Sequence, residues 1–359
     1  MRHGVMVIGC GAMARVHCSA LSKMNNVKLV CAVDLDPKRA ESFKANYGFS
    51  RTSTDYIPEL EKKDFDIVLC CTHWQMRFEI LKNCIKAGKH ILAEKPISVY
   101  MDEVVEILKM AKKRKIKLRV GFMERFRPMF LKTEKLLLAG AIGRPLVFSF
   151  IHHQSSGGSG LEQTWKYYKN LLHGGLTPNV DCGIHKCDLA RWLGRTEPEQ
   201  VFSTGCRLEA DSPGNNFSHS AFRMKNNVSF IMEDCFSKNT RPFVEMNIYG
   251  DKGKMKLEYA GKHDRPFFAS EEDIIRIWSS TKAAHEELYL PAATKAVGPQ
   301  MAAFMDEIEN DKDMEWHYTN VMKATEMALG TLLSEKRMAA VRFPLNAADY
   351  KDLIKYITK

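Results

Sequence analysis

The chain has no apolar run approaching the ~20 residues that a helical membrane span requires, and no C-x-x-C pair among its ten cysteines (10, 18, 31, 70, 71, 84, 182, 187, 206 and 235). The first absence argues against a helical membrane protein. The second argues against the paired-cysteine redox and zinc motifs, and several cysteines fall inside apolar runs, so they read as reduced, buried thiols. The N-terminus, Met1-Arg-His-Gly-Val-Met-Val-Ile-Gly9, has neither the basic start and long apolar stretch of a signal peptide nor a twin-arginine signal. A reducing, cytoplasmic setting is the expectation. Concentrated charge is also missing: 53 Lys and Arg against 43 Asp and Glu leave a net +10 that is spread along the chain. Its densest run, Lys112 to Arg119, falls where a helix ends and a strand begins, so it reads as cations at a helix C-terminus in solvent. Neither a nucleic-acid nor a membrane partner is expected.

What the chain does have is size and rhythm. Its 359 residues, 45% hydrophobic and 27% charged, are enough for two globular domains. Val5 to Ile8, Lys28 to Val33, Asp66 to Cys71, His90 to Ala93 and Leu118 to Phe122 are short apolar runs. They alternate with helical stretches at Ala12 to Met24, Pro37 to Asn46, Arg77 to Ala87 and Met101 to Lys113. That alternation predicts an α/β, doubly wound parallel sheet of the Rossmann type over residues 1–123. After a helix at Pro128 to Ala139, residues 124–359 turn to alternating stretches such as Val147 to His152, Ser218 to Met224, Val228 to Cys235 and Phe243 to Tyr249. These predict a large, mostly antiparallel open sheet in a substrate-binding and oligomerisation domain. Ser155 to Gly160 reads as a mobile loop and Gly250-Asp-Lys-Gly253 as a hairpin turn, and the chain closes helically. A sheet with one face covered presents the other to a partner, so a homo-oligomer is expected.

Gly9-Cys10-Gly11-Ala12-Met13-Ala14 fits G-x-G-x-x-A between a strand and a helix. Gly9 permits the sharp turn, Gly11 lets the backbone approach a pyrophosphate, and Ala14 allows close helix–strand packing. The helix N-terminus at Ala12 and Met13 offers free N–H groups to the anion. Asp34 ends the second strand, where a carboxylate accepts ribose hydroxyls of NAD and repels the extra phosphate of NADP; Lys38 and Arg39 nearby keep NADP open.

Four stretches resemble the glucose-fructose oxidoreductase and inositol dehydrogenase family (Gfo/Idh/MocA). They are Gly9 to Ala14, Ala93-Glu94-Lys95-Pro96, Val120-Gly-Phe-Met-Glu-Arg-Phe126, and Gly174-Gly175 followed by Asp181-Cys-Gly-Ile-His185 and Asp188. The resemblance runs along essentially the whole chain. It implies a Rossmann domain joined to a domain that supplies half of the active site, with NAD as cofactor and a sugar, polyol or nucleotide sugar as substrate. It places Lys95 to donate to the reacting hydroxyl; the competing role for Lys95 is a salt bridge at the strand end with Glu94 as helper. One departure concerns the loop near the nicotinamide: family members often carry Pro-x-x-His there, whereas this chain has Thr72-His73-Trp74-Gln75-Met76-Arg77. Thr72, Trp74, Glu94 and Lys95 are taken as cofactor-binding residues.

Oxidising a secondary alcohol requires a base for the hydroxyl proton, and histidine suits that at neutral pH. His185 lies four residues after Asp181, one turn along a predicted helix and on its face, so the carboxylate can orient it. Alone, such a spacing reads as surface polarity; it is the family resemblance that implies a catalytic set of Lys95, Asp181 and His185, with His185 as base, Lys95 as charge-stabilising cation, and the order of proton transfer between them open. Asp181 and His185 also count as substrate contacts, with Arg125, Trp165 and Tyr168 beside them; Trp165, Tyr167 and Tyr168 suit stacking on a sugar or packing in a core equally well. Cys182, His185 and Cys187 raise a zinc site, but helical geometry points Cys187 elsewhere and no second cysteine cluster completes a tetrahedron, so no metal is expected. The leading expected reaction is oxidation of a glucoside, C-glycosides included, at carbon 3, ahead of a glycoside-cleaving enzyme. Its rivals are inositol 2-dehydrogenation, nucleotide-sugar 3-dehydrogenation, an NAD-dependent redox-neutral glycosidase, and a sugar or NAD sensor without turnover.

Overall fold

The computed structural model describes residues 3–155, 161–240, 243–259, 272–280, 285–292 and 296–357, the side chains of residues 155, 161–165 and 173 excepted. The expected loop at Ser155 to Gly160 lies almost wholly outside them. The chain divides into two compact units, residues 1–126 with 295–322 and residues 127–294 with 323–359.

The first unit opens with β1 (His3–Ile8), α1 (Ala12–Leu21), β2 (Val27–Val33), α2 (Pro37–Tyr47), β3 (Arg51–Ser53), β4 (Ile67–Cys70), α3 (Trp74–Lys86), β5 (His90–Ala93), α4 (Met101–Lys113) and β6 (Leu118–Val120). The six strands lie in the order β3-β2-β1-β4-β5-β6 and all pair in parallel. β1 and β4 are buried at every residue, which is why they read as unbroken apolar runs. β3 carries no such signal: its three half-buried residues are ordered by pairing with Cys31–Val33. α2 is bounded by local chemistry. The Asp36 side chain accepts from the Lys38 N–H, Pro37 occupies the first turn, and Gly48 closes the helix in the left-handed region.

The second unit contains α5 (Pro128–Leu138), β7 (Pro145–Ser155), α6 (Leu161–His173), α7 (Pro178–Asp181), α8 (Gly183–Gly194), β8 (Pro198–Cys206), β9 (Phe217–Met224), β10 (Val228–Ser237), β11 (Phe243–Gly250), β12 (Gly253–Glu258), β13 (Glu272–Ser279) and β14 (Glu286–Pro291). The chain ends with α9 (Val297–Glu309), α10 (Glu315–Arg337), β15 (Val341–Arg342) and α11 (Ala347–Tyr356). Nine strands form one sheet, ordered β14-β13-β12-β11-β7-β10-β9-β8-β15. Its pairs are antiparallel apart from β7 with β10, where the helices α6 to α8 intervene in sequence instead of a hairpin. Strand alternation sends Phe148, Phe150, Phe222 and Phe230 inward, with Phe222 stacked on Phe230 at 5.1 Å. Phe202, Tyr249, Trp278 and Tyr289 stay exposed.

The two units are not the consecutive segments 1–123 and 124–359. Residues 295–322 return to the first unit, because α9 supplies Met301, Phe304 and Met305 to the core built on Val5, Val7, Cys18 and Leu29. The same segment closes the edge strand β6, whose free backbone groups would otherwise invite another strand. The Val120 N–H donates to His317 Nε2 at 3.0 Å, and Gln300 Nε2 donates to the Val120 carbonyl at 3.3 Å. Three cations of the Lys112–Arg119 run are paired there too: Lys112 with Glu315 at 2.6 Å, Lys117 with Asp311 at 2.7 Å, and Arg119 with Glu307. All ten thiols are free; Cys206 is exposed, Cys71 half-buried and the others buried. Among the described residues no helix is long and apolar enough to cross a membrane.

Candidate active site

In the first unit, Gly9, Asp34, Thr72 and Glu94–Lys95 follow the C-terminal ends of β1, β2, β4 and β5, so all lie along one edge of the parallel sheet, where doubly wound folds bind ligands. Gly9 has φ +90°, and a Cβ there would meet the Cys71 carbonyl and the Thr72 nitrogen at 3.0 Å, so the turn requires glycine. Gly11 caps α1, with no side-chain cap and no acidic residue in the first turn. A Cβ on Gly11 would meet nothing within 4 Å. The helix thus begins at exposed Ala12, in the first turn where backbone N–H groups lack partners within the helix, and Ala14 is fully buried behind it.

The Asp34 carboxylate is fixed by two backbone donors, the Cys10 N–H to Oδ2 at 2.8 Å and the Asp36 N–H to Oδ1 at 2.9 Å. Each oxygen keeps a lone pair for a ribose hydroxyl. Arg39 sits 3.6 Å from Asp36 in an exposed ion pair. A helix N-terminus beside an anchored carboxylate is a donor and acceptor set that fits NAD, and the carboxylate opposes a 2′-phosphate.

Glu94 is buried, and His17 Nε2 donates to its Oε1 at 2.8 Å. Burial pushes the Glu94 carboxyl up, but the bond from His17 and the charges of His17, Arg77 and Lys95 outweigh it and hold the group at about 2. Glu94 is therefore ionised at neutral pH. Lys95 is half-buried and joined to Pro96 by a cis peptide bond. Sequence reasoning missed Arg77, which is buried in the first turn of α3. Its Nη1 donates to the Glu94 carbonyl at 2.8 Å and to the Pro96 carbonyl, and its Nη2 donates to the Thr72 carbonyl at 2.5 Å. Trp74 is buried, its ring 6.2 Å from that of Tyr100 and 5.7 Å from that of His73, so it packs inside the unit. Arg125 is also buried in this unit, donating to Asn320 Oδ1 at 3.0 Å with its guanidinium 4.5 Å over the Trp316 ring.

In the second unit, Asp181 and His185 do not share one uninterrupted helix. α7 ends at Asp181 and α8 begins at Gly183, with Cys182 between them. The chain presses on the sheet at that step: a Cβ on Gly183 would lie 2.8 Å from Met232 Sδ and 3.0 Å from Asp234 Oδ2 of β10. The His185 N–H still donates to the Cys182 carbonyl at 3.2 Å, so the backbone keeps turning through the step. Asp181 is buried and His185 half-buried. Asp181 Oδ2 accepts from Cys182 Sγ at 3.7 Å, that sulfur accepts from Gln154 Nε2 at 3.1 Å, and Gln154 Oε1 accepts from the Tyr168 hydroxyl at 2.5 Å. Tyr168 thus joins a polar chain that ends on Asp181. Its ring lies flat on Phe236 at 4.2 Å, and burial pushes its phenol well up, so it is packed against the protein and stays protonated. The Trp165 side chain lies outside the described residues.

Lys186, next to His185, was also missed. It is buried, donates to Asp234 Oδ1, and lies 3.4 Å from His152 Nδ1. Burial, with the Lys186 charge beside it, pushes His152 down to about 4, so His152 is neutral at pH 7 and Asp234 is the anion that balances Lys186. Cys187 is buried, and its thiol is pushed well up. Among the described residues no group of three or more His, Cys, Asp or Glu is arranged to hold a metal ion.

Two family models match the chain: an oxidoreductase family with an NAD-binding Rossmann fold over residues 3–122, and the GFO/IDH/MocA C-terminal domain over residues 130–256. An inositol 2-dehydrogenase of Rhizobium meliloti (strain 1021) is 26% identical over 347 residues, 93% of this chain and 98% of that protein. The uncharacterized oxidoreductase YrbE of Bacillus subtilis (strain 168) is 28% identical over 202 residues, 56% of this chain, and the match spans only 57% of its own length. Among solved structures, the scyllo-inositol dehydrogenase of Lactobacillus casei with bound NAD(H) and scyllo-inositol superposes with a TM-score of 0.78 at 18% identity, covering 95% of this chain and 99% of that one. At that identity the likeness speaks for the fold.

Proposed function

The chain belongs to the Gfo/Idh/MocA family of oxidoreductases with an NAD-binding Rossmann fold, and from that premise we propose that it oxidises a ring hydroxyl of a cyclic sugar or polyol to a ketone. The leading substrate is a glucoside, C-glycosides included, reacting at carbon 3. Bound NAD supplies the acceptor for the hydride. Gly9, Gly11, Ala12 and Met13 receive the pyrophosphate, Asp34 the ribose, and the Thr72 and Glu94–Lys95 loops flank the reacting end. As hydride leaves a secondary alcohol, its hydroxyl proton must depart to a positioned base. His185 takes that proton, and Asp181 orients it and accepts a hydrogen bond from the substrate. Lys95 donates to the alcohol oxygen and stabilises the negative charge that grows there.

The observation that carries this reading is the place of Lys95, at the end of β5 on the same sheet edge as Gly9, Asp34 and Thr72. A 3-keto sugar has an acidified hydrogen at carbon 2, so a second enzyme can eliminate the aglycone; that is the downstream partner this chemistry calls for. The Rhizobium relative, an inositol 2-dehydrogenase matched over nearly its whole length, favours a cyclitol as the second reading. The test incubates the full chain and NAD with an O-glucoside, a C-glucoside, myo-inositol and a nucleotide sugar, followed by mass and NMR analysis. The expected product is a glucoside two hydrogens lighter with its carbonyl at carbon 3. Turnover of myo-inositol alone moves the assignment to a cyclitol, and no dehydrogenated product from any of the four contradicts both.

For assembly we propose a homo-oligomer joined through the sheet face that bears Phe202, Tyr249, Trp278 and Tyr289. A monomer mass by light scattering contradicts it. The setting proposed is cytoplasmic, where the thiols, exposed Cys206 included, stay reduced.

A further inference from the structure

We infer that Arg77 is the positioning residue for Lys95: its buried guanidinium ties the loop after β4 to the loop after β5. The two loops are separate in sequence, and neither is part of the strand ladder at the tied carbonyls. Arg77 spans them with three bonds, one to Thr72 and two to Glu94 and Pro96, the residues on either side of Lys95. A guanidinium is suited to this task, because its donors lie in one rigid plane and can serve several acceptors at fixed angles, whereas a lysine ammonium offers a single pivot. All three acceptors are backbone carbonyls, so the contact constrains main-chain position and, through it, where the Lys95 side chain starts. Arg77 also closes the Thr72–Arg77 stretch in which this chain departs from Pro-x-x-His. The departure therefore has a purpose: this loop is held by a charged clamp. Cofactor binding beside Thr72 and the placing of Lys95 then become one event.

The inference rests on the role proposed for Lys95, and its test separates the two. Hydrogen exchange of the full-length Arg77→Met variant without cofactor or substrate is expected to quicken several-fold in segments 72–76 and 94–100, while segment 118–122 keeps its wild-type rate. NAD affinity, read by fluorescence, is expected to fall several-fold. A displaced catalytic group lowers kcat by on the order of a hundredfold, and Arg77→Lys recovers part of that loss. Because Arg77 acts through Lys95, Arg77→Met is expected to add nothing to the kcat loss of Lys95→Met. Unchanged exchange in 94–100, or the same kcat factor in both backgrounds, overturns the inference. If Arg77→Met does not fold, Arg77→Lys carries the same readings. Should the wild type oxidise no polyol, the proposed function fails, and the exchange result still decides whether Arg77 ties the loops.

Discussion

Lys95→Met is expected to lower kcat by about a hundred- to ten-thousand-fold, the range measured when a positioned proton-handling group is removed, and His185→Asn is expected to do the same. Methionine keeps the length and apolar stem of lysine but cannot donate to the alcohol oxygen. Asparagine keeps a polar side chain of similar reach but cannot take a proton near neutral pH. Both losses should appear equally in kcat and kcat/KM, because the interactions removed belong to the transition state. Initial rates at saturating NAD and substrate, with NAD binding followed by fluorescence, check both. Full activity in either variant removes that residue from the mechanism.

Lys186→Met is expected to destabilise the second unit by about 3 to 5 kcal/mol, the usual effect of stripping one partner from a buried ion pair, and to lower Tm by roughly 10 °C. Lys186 and Asp234 are almost fully buried, with 4% and 1% of their side-chain surface exposed. Burial and the Lys186 charge hold His152 beside them neutral, so in the variant the Asp234 carboxylate loses its ammonium partner and keeps only a buried imidazole 3.6 Å away, whose protonation burial still opposes. The same logic predicts rescue. In Lys186→Met with Asp234→Leu no charge remains to be desolvated, and stability should return most of the way to wild type. Denaturant titration of the two single variants and the double variant reads the coupling directly. Singles that each cost less than about 1 kcal/mol would be the behaviour of a solvated pair and would contradict the assigned burial.

Residues with local signals were legible in the sequence. β1, β2, β4 and β5 are buried on both faces and so announce themselves as apolar runs, and the G-x-G-x-x-A turn could be placed because a strand and a helix flank it. Asp251 and Lys252 form the expected two-residue hairpin, with Gly250 paired to Gly253. What escaped was tertiary. β3 is a strand only because β2 lies beside it, and the amphipathic pattern of α9 says that one face is buried but not in which core. Arg77 and Lys186 look like ordinary solvent-facing charges on helices, and their burial is decided by carbonyls and a carboxylate from distant segments. The break at Cys182 comes from the tight approach of Gly183 to Met232 and Asp234, which no four-residue spacing reveals.

If hydride passes from a ring alcohol to NAD with net turnover, NADH and ketone form together. The most direct test is the ratio of NADH formed, by its absorbance band, to ketone formed, by mass, when the purified chain meets NAD and a glucoside. One NADH is expected for each ketone, with both formed at least about a hundredfold more slowly in Lys95→Met. A cleaved glycoside with no NADH would mean that the hydride returns to the sugar, and NAD binding with neither product would mean a sensor; either result contradicts the account.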